Sequence, residues 1–197
     1  YGLTGSTKPK GRILFANGMT PGWAHRGELA DPRQRQLGSL PRNWARYRGL
    51  YRHGNQVVLS YTVGETGVLE TPWAGQADGR LFLTRTLEFD QVAKPLTGLI
   101  ATKRGATAVL QKIGGLAVAQ LPAGDETLWV AALGQGTGLA VKNDRILLTA
   151  QPGEAKRLAK VFIVQAPLGR AESVVALAKA NAVIEPPSRL CTGGPGL

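Results

Sequence analysis

The amino-acid sequence predicts a mainly β protein: an antiparallel β-sandwich-like domain with a loop-rich N-terminal arm and one C-terminal helix. Turn signals such as Asp78-Gly79 and Asn143-Asp144 recur at strand-like intervals between runs rich in Val, Leu, Ile and Thr. Residues 56–63 alternate apolar and polar side chains with a period of two, interrupted only at Val58, which is typical of a strand with one buried face. Only one stretch, near the C-terminus, has helical spacing. A partial β-propeller has the same hairpin spacing and is the alternative architecture.

The first 43 residues predict a basic, loop-rich arm that packs on the core. Prolines and glycines at 20–22 and 31–32 forbid long regular elements, so we expect one short strand at most, over 12–16. The aromatic side chains of Phe15 and Trp23 are the residues that could hold this arm on the core.

The β domain is predicted over residues 44–168. The strands are expected at 46–52, 56–63, 67–71, 80–89, 96–103, 108–113, 116–121, 127–133, 138–142, 145–150 and 159–165. No helical stretches separate them, which disfavours a parallel sheet because parallel strands need long crossover connections.

Residues 169–197 predict a C-terminal helix followed by a Gly/Pro-rich linker. Val174, Leu177 and Ala178 recur at helical spacing within 171–182, and Pro186-Pro187 ends the pattern. The sequence contains no run of about 18 apolar residues and opens with neither a signal peptide nor an initiator Met. We therefore expect a processed protein or a piece of a longer one.

The net charge of +11 is concentrated at the N-terminal end. Residues 1–52 hold ten Lys and Arg against two acidic residues, which gives +8 and leaves +3 for the rest of the chain. Such asymmetry is typical of a segment that binds an acidic surface, whether a neighbouring domain, anionic lipid or nucleic acid. A solvated basic face that keeps the protein soluble is the simpler explanation, and nucleic acid is the least favoured partner.

The sequence contains little that indicates a metal site or a haem-binding motif. The single Cys191 excludes an internal disulfide and a Cys-x-x-Cys motif, and the two histidines, His25 and His53, are too few for a histidine-built metal site unless carboxylates complete it. We expect this chain to bind no metal and to hold no cofactor of its own.

Catalytic motifs are also scarce. The glycines at 134, 136 and 138 lack the Lys-Ser/Thr of a phosphate-binding loop and predict a hairpin loop. Paired carboxylates for glycoside hydrolysis could come from Glu65, Glu70, Glu88 and Asp90, all on or beside predicted strands. An enzyme acting on sugars or glycosides through these carboxylates is therefore an alternative function.

The best candidate site is the arginine- and aromatic-rich stretch that leads into the first hairpin. Its predicted binding residues are Trp44, Arg46, Tyr47, Arg48, Tyr51, Arg52 and His53. A helical turn over 41–50 would place the aromatics on one face and the arginines on another. Arginine binds carboxylates and phosphates bidentately and stacks on aromatic rings, and aromatics on a β scaffold stack on sugars. Alternatively, the three aromatics pack this segment against the sheet, and His53 is a turn residue.

The run Trp44-Ala45-Arg46-Tyr47-Arg48-Gly49-Leu50-Tyr51-Arg52-His53-Gly54, with 57–64 and 68–70, resembles an uncharacterised domain of large secreted bacterial proteins of planctomycete type. That domain precedes a glucose/sorbosone-dehydrogenase-like β-propeller and a cytochrome c domain, in proteins labelled haem-binding or membrane-bound dehydrogenase-like. Residues 21–24, 31–33 and 192–195 are similar to its two ends, and the resemblance is thin over 104–155.

This resemblance implies a β fold, a periplasmic or secreted location, and a supporting or recognition role within a redox or carbohydrate-processing polypeptide. It assigns no functional residue, and this chain has neither the propeller nor a Cys-x-x-Cys-His haem motif. We therefore expect a non-catalytic binding or scaffold domain whose partners are neighbouring domains or subunits, with carbohydrate as the small partner. Nucleic-acid binding through the basic arm is a third hypothesis.

Overall fold

A computed structural model describes residues 16–18, 20–33 and 40–192, and in this part of the chain the fold is the predicted antiparallel β-sandwich with one C-terminal α-helix. The elements are β1 (Ala45–His53), β2 (Gln56–Val63), β3 (Thr66–Ala77), β4 (Arg80–Phe89), β5 (Leu96–Thr102), β6 (Val109–Ile113), β7 (Leu116–Ala123), β8 (Glu126–Leu133), β9 (Thr137–Lys142), β10 (Arg145–Ala150), β11 (Arg157–Ala166), α1 (Ala171–Ala180) and a 3-10 helix (Pro187–Leu190). The predicted strand at 12–16 and the side chain of Phe15 lie outside the described residues, apart from Ala16, which is not in a strand.

The strands form two sheets in which every pairing is antiparallel. The larger sheet has the order β1-β2-β3-β4-β11-β8-β7-β6, and the smaller one has the order β5-β10-β9. Two stacked antiparallel sheets are a sandwich rather than the blades of a propeller. β1 and β6 are the edge strands of the larger sheet.

Strand β3 is longer than predicted because Pro72 is tolerated inside it. The pairing of β3 with β2 ends at Glu70, whereas its pairing with β4 continues to Ala77. Beyond Glu70, β3 has a neighbour on one side only within the described residues, so the missing N–H of Pro72 can face the unpaired side without loss of a ladder hydrogen bond. Pro72 therefore lies inside β3 and does not end it.

The hydrophobic core lies between the two sheets. Leu87, Phe89 and Val161 of the larger sheet pack towards Ile146 and Leu148 of the smaller one, and all five side chains are at most 1% exposed. The opposite face of the larger sheet is covered in part by α1, which packs its buried residues against Trp129, Phe162 and Val164. The domain therefore has three layers: the small sheet, the large sheet and the helix.

The arm packs on the core through Trp23, as its aromatic character predicted. Residues 22–24 continue the smaller sheet beside β5, where the amide of Ala24 donates to the carbonyl of Thr97 at 2.8 Å and the amide of Leu99 donates to that of Gly22 at 2.8 Å. The Trp23 ring is 7% exposed and lies edge-on to Phe89, with 5.9 Å between centroids. Gly98 faces this ring, and a Cβ there would lie 2.9 Å from it, so only glycine allows this approach.

The C-terminal segment crosses the outer face of the larger sheet after α1, which ends two residues earlier than predicted. Lys160 donates to the carbonyls of Asn181 and Val183 at 2.9 and 3.1 Å, and the amide of Ser188 donates to Glu88 Oε2 at 2.9 Å. Near the end of the described chain, Thr192 Oγ1 lies 3.1 Å from the Nδ1 of His53 in β1. Within the described residues no helix is long and apolar enough to cross a membrane.

Candidate binding surface

The predicted binding residues lie on and beside β1, an edge strand of the larger sheet. The predicted strand at 46–52 is present as β1, and the helical turn that was considered over 41–50 is absent, since only residues 42–44 form a turn and the chain is extended from Ala45 onward. The two-residue turn at Gly54-Asn55 joins β1 to β2, and pairing with β2 holds the segment in the sheet. The aromatics therefore do not share a helical face.

A β-bulge divides the exposed side chains of β1. The register shifts between Tyr47 and Gly49, which leaves Arg48 without an opposite residue on β2. Before the bulge Tyr47 lies opposite Tyr61, whose ring packs on Trp23 between the sheets, and after it Tyr51 lies opposite Val58. Because a bulge inserts one residue and changes which face the next side chains occupy, Tyr47 and Tyr51 belong to opposite faces of the sheet.

The seven predicted residues divide into an exposed group and a packed group. Arg46, Arg48, Arg52 and His53 are exposed, and Tyr47 keeps 63% of its surface accessible. Tyr51 is half-buried. Trp44 does not lie on this surface, because its side chain is only 3% exposed and its Nε1 donates to the carbonyl of Trp23 at 3.0 Å.

Strand β1 carries four accessible side chains, Arg46, Tyr47, Arg48 and Arg52, which are distributed over both faces of the sheet along its edge, and we call this set the arginine edge. Among the described residues, neither Arg46 nor Arg48 has a side-chain hydrogen bond or ion pair, and Arg52 makes one long hydrogen bond, 3.4 Å, from Nε to the carbonyl of Gly54. Three guanidinium groups thus lie on one strand with no carboxylate from the described part of the chain to neutralise them. Guanidinium groups in this state suit an anionic partner.

The carboxylates proposed for catalysis are placed differently. Glu70 pairs across the strands with Leu87, and Glu88 pairs with Leu69, so the two side chains leave the sheet on opposite faces. They cannot flank the same glycosidic bond, which requires two carboxyl groups within about 10 Å on either side of one substrate. Glu65 and Asp90 are exposed at turns.

Glu70 belongs to a buried ionic cluster between the sheets. Its Oε1 accepts from Arg85 Nε at 2.6 Å, and its Oε2 accepts from Arg85 Nη2 at 3.1 Å and from the hydroxyl of Tyr61 at 2.6 Å. Burial opposes ionisation, but the charge and hydrogen bonds of Arg85 outweigh it, so the pKa of Glu70 lies below its ordinary value. Burial and the neighbouring Glu70 raise the pKa of Tyr61 far above its usual range. These groups satisfy one another and have a structural role.

Glu88 is held on the outer face by the C-terminal segment. It accepts from Lys156 Nζ at 2.8 Å and from the amide of Ser188 at 2.9 Å. Burial opposes ionisation here too, but these hydrogen bonds prevail and the pKa of Glu88 is lowered. Lys156 also lies 3.9 Å from Asp90. The carboxylate therefore anchors the crossing chain, an interaction between residues 100 apart that the sequence could not reveal.

The glycine-rich segment at 134–138 is not the hairpin loop that the sequence predicted. It joins β8 of the larger sheet to β9 of the smaller one. Cβ atoms at Gly136 and Gly153 would collide with the guanidinium group of Arg157, which donates to the carbonyl of Pro152 at 2.7 Å. The glycines therefore make room for this side chain. The described residues contain no cluster of three or more His, Cys, Asp and Glu that could hold a metal ion.

One end of the sandwich has a cleft that the sequence analysis did not predict. Four segments meet there: the arm at 24–27, the turn before β1, the β2–β3 turn at 63–66, and the β4–β5 connection at 93–97. The cleft has a volume of about 360 Å³. Its polar side chains include His25, Asn43, Glu65 and Lys94, and the buried Trp44 forms part of its wall. Because these residues are far apart in the chain, no local motif could predict their meeting.

Comparisons with known proteins add a partial family match. A family model described as "Domain of unknown function (DUF6797)" matches residues 1–70, which include the arm, β1 and β2. No curated protein matches the chain. A solved structure described as a kojibiose phosphorylase from the human microbiome is similar to it, with 8% sequence identity over 69% of this chain and a TM-score of 0.41. This chain spans 22% of the length of that one, and a likeness this weak carries no argument.

Proposed function

We propose that this chain is a non-catalytic binding or scaffold domain of a larger secreted protein, and that the arginine edge is its binding surface. The observation that carries the proposal is the state of β1, an edge strand with three exposed arginines and a Tyr47 that is 63% exposed. The resemblance of the arm and first strands to a domain of dehydrogenase-like proteins supports a redox or carbohydrate-processing setting.

The partner that suits this surface is acidic. Guanidinium groups form bidentate hydrogen bonds with carboxylates, and Tyr47 adds an exposed ring that can pack on a sugar or on an apolar side chain. Both an acidic face of a neighbouring domain and an acidic polysaccharide have this chemistry. The edge can also pair with an added strand, because among the strands that the structure describes β1 has a neighbour on one side only.

A simpler explanation is that the arginines protect the edge. Charged side chains and bulges on edge strands discourage pairing between molecules, and β1 has both. The two explanations differ in one consequence. If the arginines only protect the edge, their removal should cause self-association of the chain. If they form a binding surface, their removal should weaken affinity for a specific acidic ligand.

The experiment compares binding to polygalacturonate, an acidic polysaccharide, with binding to neutral dextran by calorimetry. The variant Arg46→Ala/Arg48→Ala/Arg52→Ala removes the arginine edge, and Lys103→Ala/Arg104→Ala/Lys112→Ala removes three exposed charges elsewhere. If each edge arginine contributes about 0.5–1 kcal/mol, the edge variant should bind polygalacturonate about tenfold or more weakly. The control should lose little affinity, and dextran should bind neither protein.

Equal losses in the edge variant and in the control would mean that net charge alone attracts the polymer and would overturn the assignment of the arginine edge. If the wild-type chain binds no polysaccharide, a partner domain is the remaining ligand. Cross-linking of the chain in its parent protein should then map to β1, and cross-links confined to other surfaces would refute the proposal.

A further inference from the structure

The cleft at the end of the sandwich, which we call the end cleft, has the features of a small-molecule site. Its volume of about 360 Å³ falls at the lower end of the range of ligand pockets, which is about 300–1,000 Å³. It lies at the loop end of a β-sandwich, where binding sites are carried on a rigid scaffold. None of its residues belongs to the arginine edge, so a ligand in it would occupy a separate surface.

The walls of the end cleft are fixed by hydrogen bonds. The arm is joined to β5 by the bond from Ala24 N to Thr97 O, and the turn before β1 is joined to the β2–β3 turn by a 2.8 Å bond from Gly64 N to Trp44 O. Thr66 Oγ1 donates to the carbonyl of Gln91 at 3.3 Å. The cleft is therefore largely preformed, and a ligand would not have to order these segments on binding.

Polar side chains in the end cleft are not used by the protein itself. In the described part of the chain, His25, Asn43, Glu65 and Lys94 make no side-chain hydrogen bond or ion pair, although the His25 ring lies 5.0 Å from that of Trp44. Glu70 and Glu88, by contrast, are both fully engaged. Four polar side chains from separate segments line one preformed space and stay accessible to solvent, so they are available to a ligand.

Arg26 adds a second cation at the rim in an unfavourable backbone conformation. It has φ +53° and shares a two-residue turn with Gly27, closed by hydrogen bonds of 2.8 and 3.1 Å between the backbones of His25 and Glu28. Asn, Asp or Gly would adopt this conformation with less strain than arginine. The turn therefore keeps a guanidinium group beside the cleft at a conformational cost.

The chemistry of the lining points to the ligand. Lys94 and Arg26 supply positive charge, Asn43, His25 and Glu65 can exchange hydrogen bonds with hydroxyl groups, and apolar atoms of neighbouring residues such as Pro95 can contact the C–H face of a ring. We infer that the end cleft binds one sugar ring that bears a carboxylate, a hexuronate, with its carboxylate towards Lys94. This inference rests on the proposed binding role of the domain and adds to it a site for a small molecule.

The test uses the full chain and calorimetric titration with glucuronate and galacturonate, with glucose and galactose as uncharged counterparts and acetate as a carboxylate without a ring. We expect a hexuronate Kd on the order of 1 mM, and binding by the neutral sugars about fivefold or more weaker. Lys94→Gln should weaken hexuronate binding about fivefold and leave neutral-sugar binding unchanged, because it removes only the partner of the carboxylate.

Asn43→Ala should weaken both kinds of sugar, whereas the control Lys103→Gln should alter neither. All three side chains are exposed, so melting temperatures should stay close to that of the wild type. The inference is overturned if hexuronates do not bind at about 10 mM, if acetate competes as well as a hexuronate, or if Lys94→Gln and Asn43→Ala bind hexuronate as the wild type does.

The inference and the proposed function fail separately. Loss of hexuronate binding in the arginine-edge variant, with normal binding in Lys94→Gln, would place the sugar on β1 and refute the cleft. Polygalacturonate binding without hexuronate binding would refute the cleft and leave the arginine edge standing. If Lys94→Gln weakens hexuronate binding while removal of the edge arginines leaves polysaccharide binding unchanged, the arginine edge is refuted and the end cleft stands.

Discussion

Substitution of Glu70 by Gln should destabilise the domain strongly, because it leaves Arg85 between the sheets without its counter-ion. The Glu70 side chain is 9% exposed, and its carboxylate accepts three hydrogen bonds, two from Arg85 and one from Tyr61. Breaking a buried ion pair costs about 3–5 kcal/mol. The Arg85 side chain is 26% exposed, and access of water to it reduces the penalty, so we expect about 2–4 kcal/mol.

For a chain of 197 residues this free energy lowers the melting temperature by about 4–16 °C. The assay is urea unfolding followed by tryptophan fluorescence and analysed as a double-mutant cycle of Glu70→Gln, Arg85→Met and the double variant. The double variant should be more stable than the sum of the two losses predicts, by about 1–3 kcal/mol, since it removes both charges together. A coupling energy near zero, or a Glu70→Gln variant within about 0.5 kcal/mol of wild type, would refute the structural role of the cluster.

The same cluster predicts an acid dependence whose sign follows from the lowered pKa of Glu70. A carboxyl with a lower pKa in the folded state stabilises the protein fully above its unfolded pKa, about 4.3, and this contribution is lost as the pH falls through the folded pKa. The free energy of unfolding should therefore fall below about pH 4 in the wild type. It should fall less steeply in Glu70→Gln, and equal slopes in the two proteins would contradict the assignment.

Three further predictions concern the arm and the surface. Trp44→Ala should cost about 3–5 kcal/mol in urea unfolding, whereas Tyr47→Ala, at an exposed site, should cost less than about 1 kcal/mol; equal costs would contradict the division of the two aromatics between wall and surface. Gly98→Ala should cost about 1–3 kcal/mol because its Cβ meets the Trp23 ring, and the matched control Gly22→Ala, whose Cβ meets open space, should be nearly neutral. If the basic arm binds DNA, retention on a DNA column should fall steeply between about 50 and 200 mM salt; a chain that is never retained would dismiss this function.

The tertiary structure decided which of the sequence-predicted site residues lie together. The sequence showed an arginine-rich stretch beside a strand, but the bulge at Arg48 separates Tyr47 from Tyr51, and contact with the arm removes Trp44 from the surface. Likewise, the sequence showed acidic residues on strands, and only the register of β3 and β4 placed Glu70 and Glu88 on opposite faces. A register depends on pairings between segments, so local patterns leave it open.

The sequence by itself determined the strands, because their signals are local. Turn residues such as Asp78 and Asn143, both with positive φ, and the alternation of side chains act within a few residues, and each of the eleven predicted strands is present. The helix from Ala171 also followed from its own periodicity. Only the tertiary structure decided the assignment of strands to two sheets, the position of β1 at the edge of the described larger sheet, and the end cleft. These depend on contacts between distant segments, whose energies no short stretch of sequence contains.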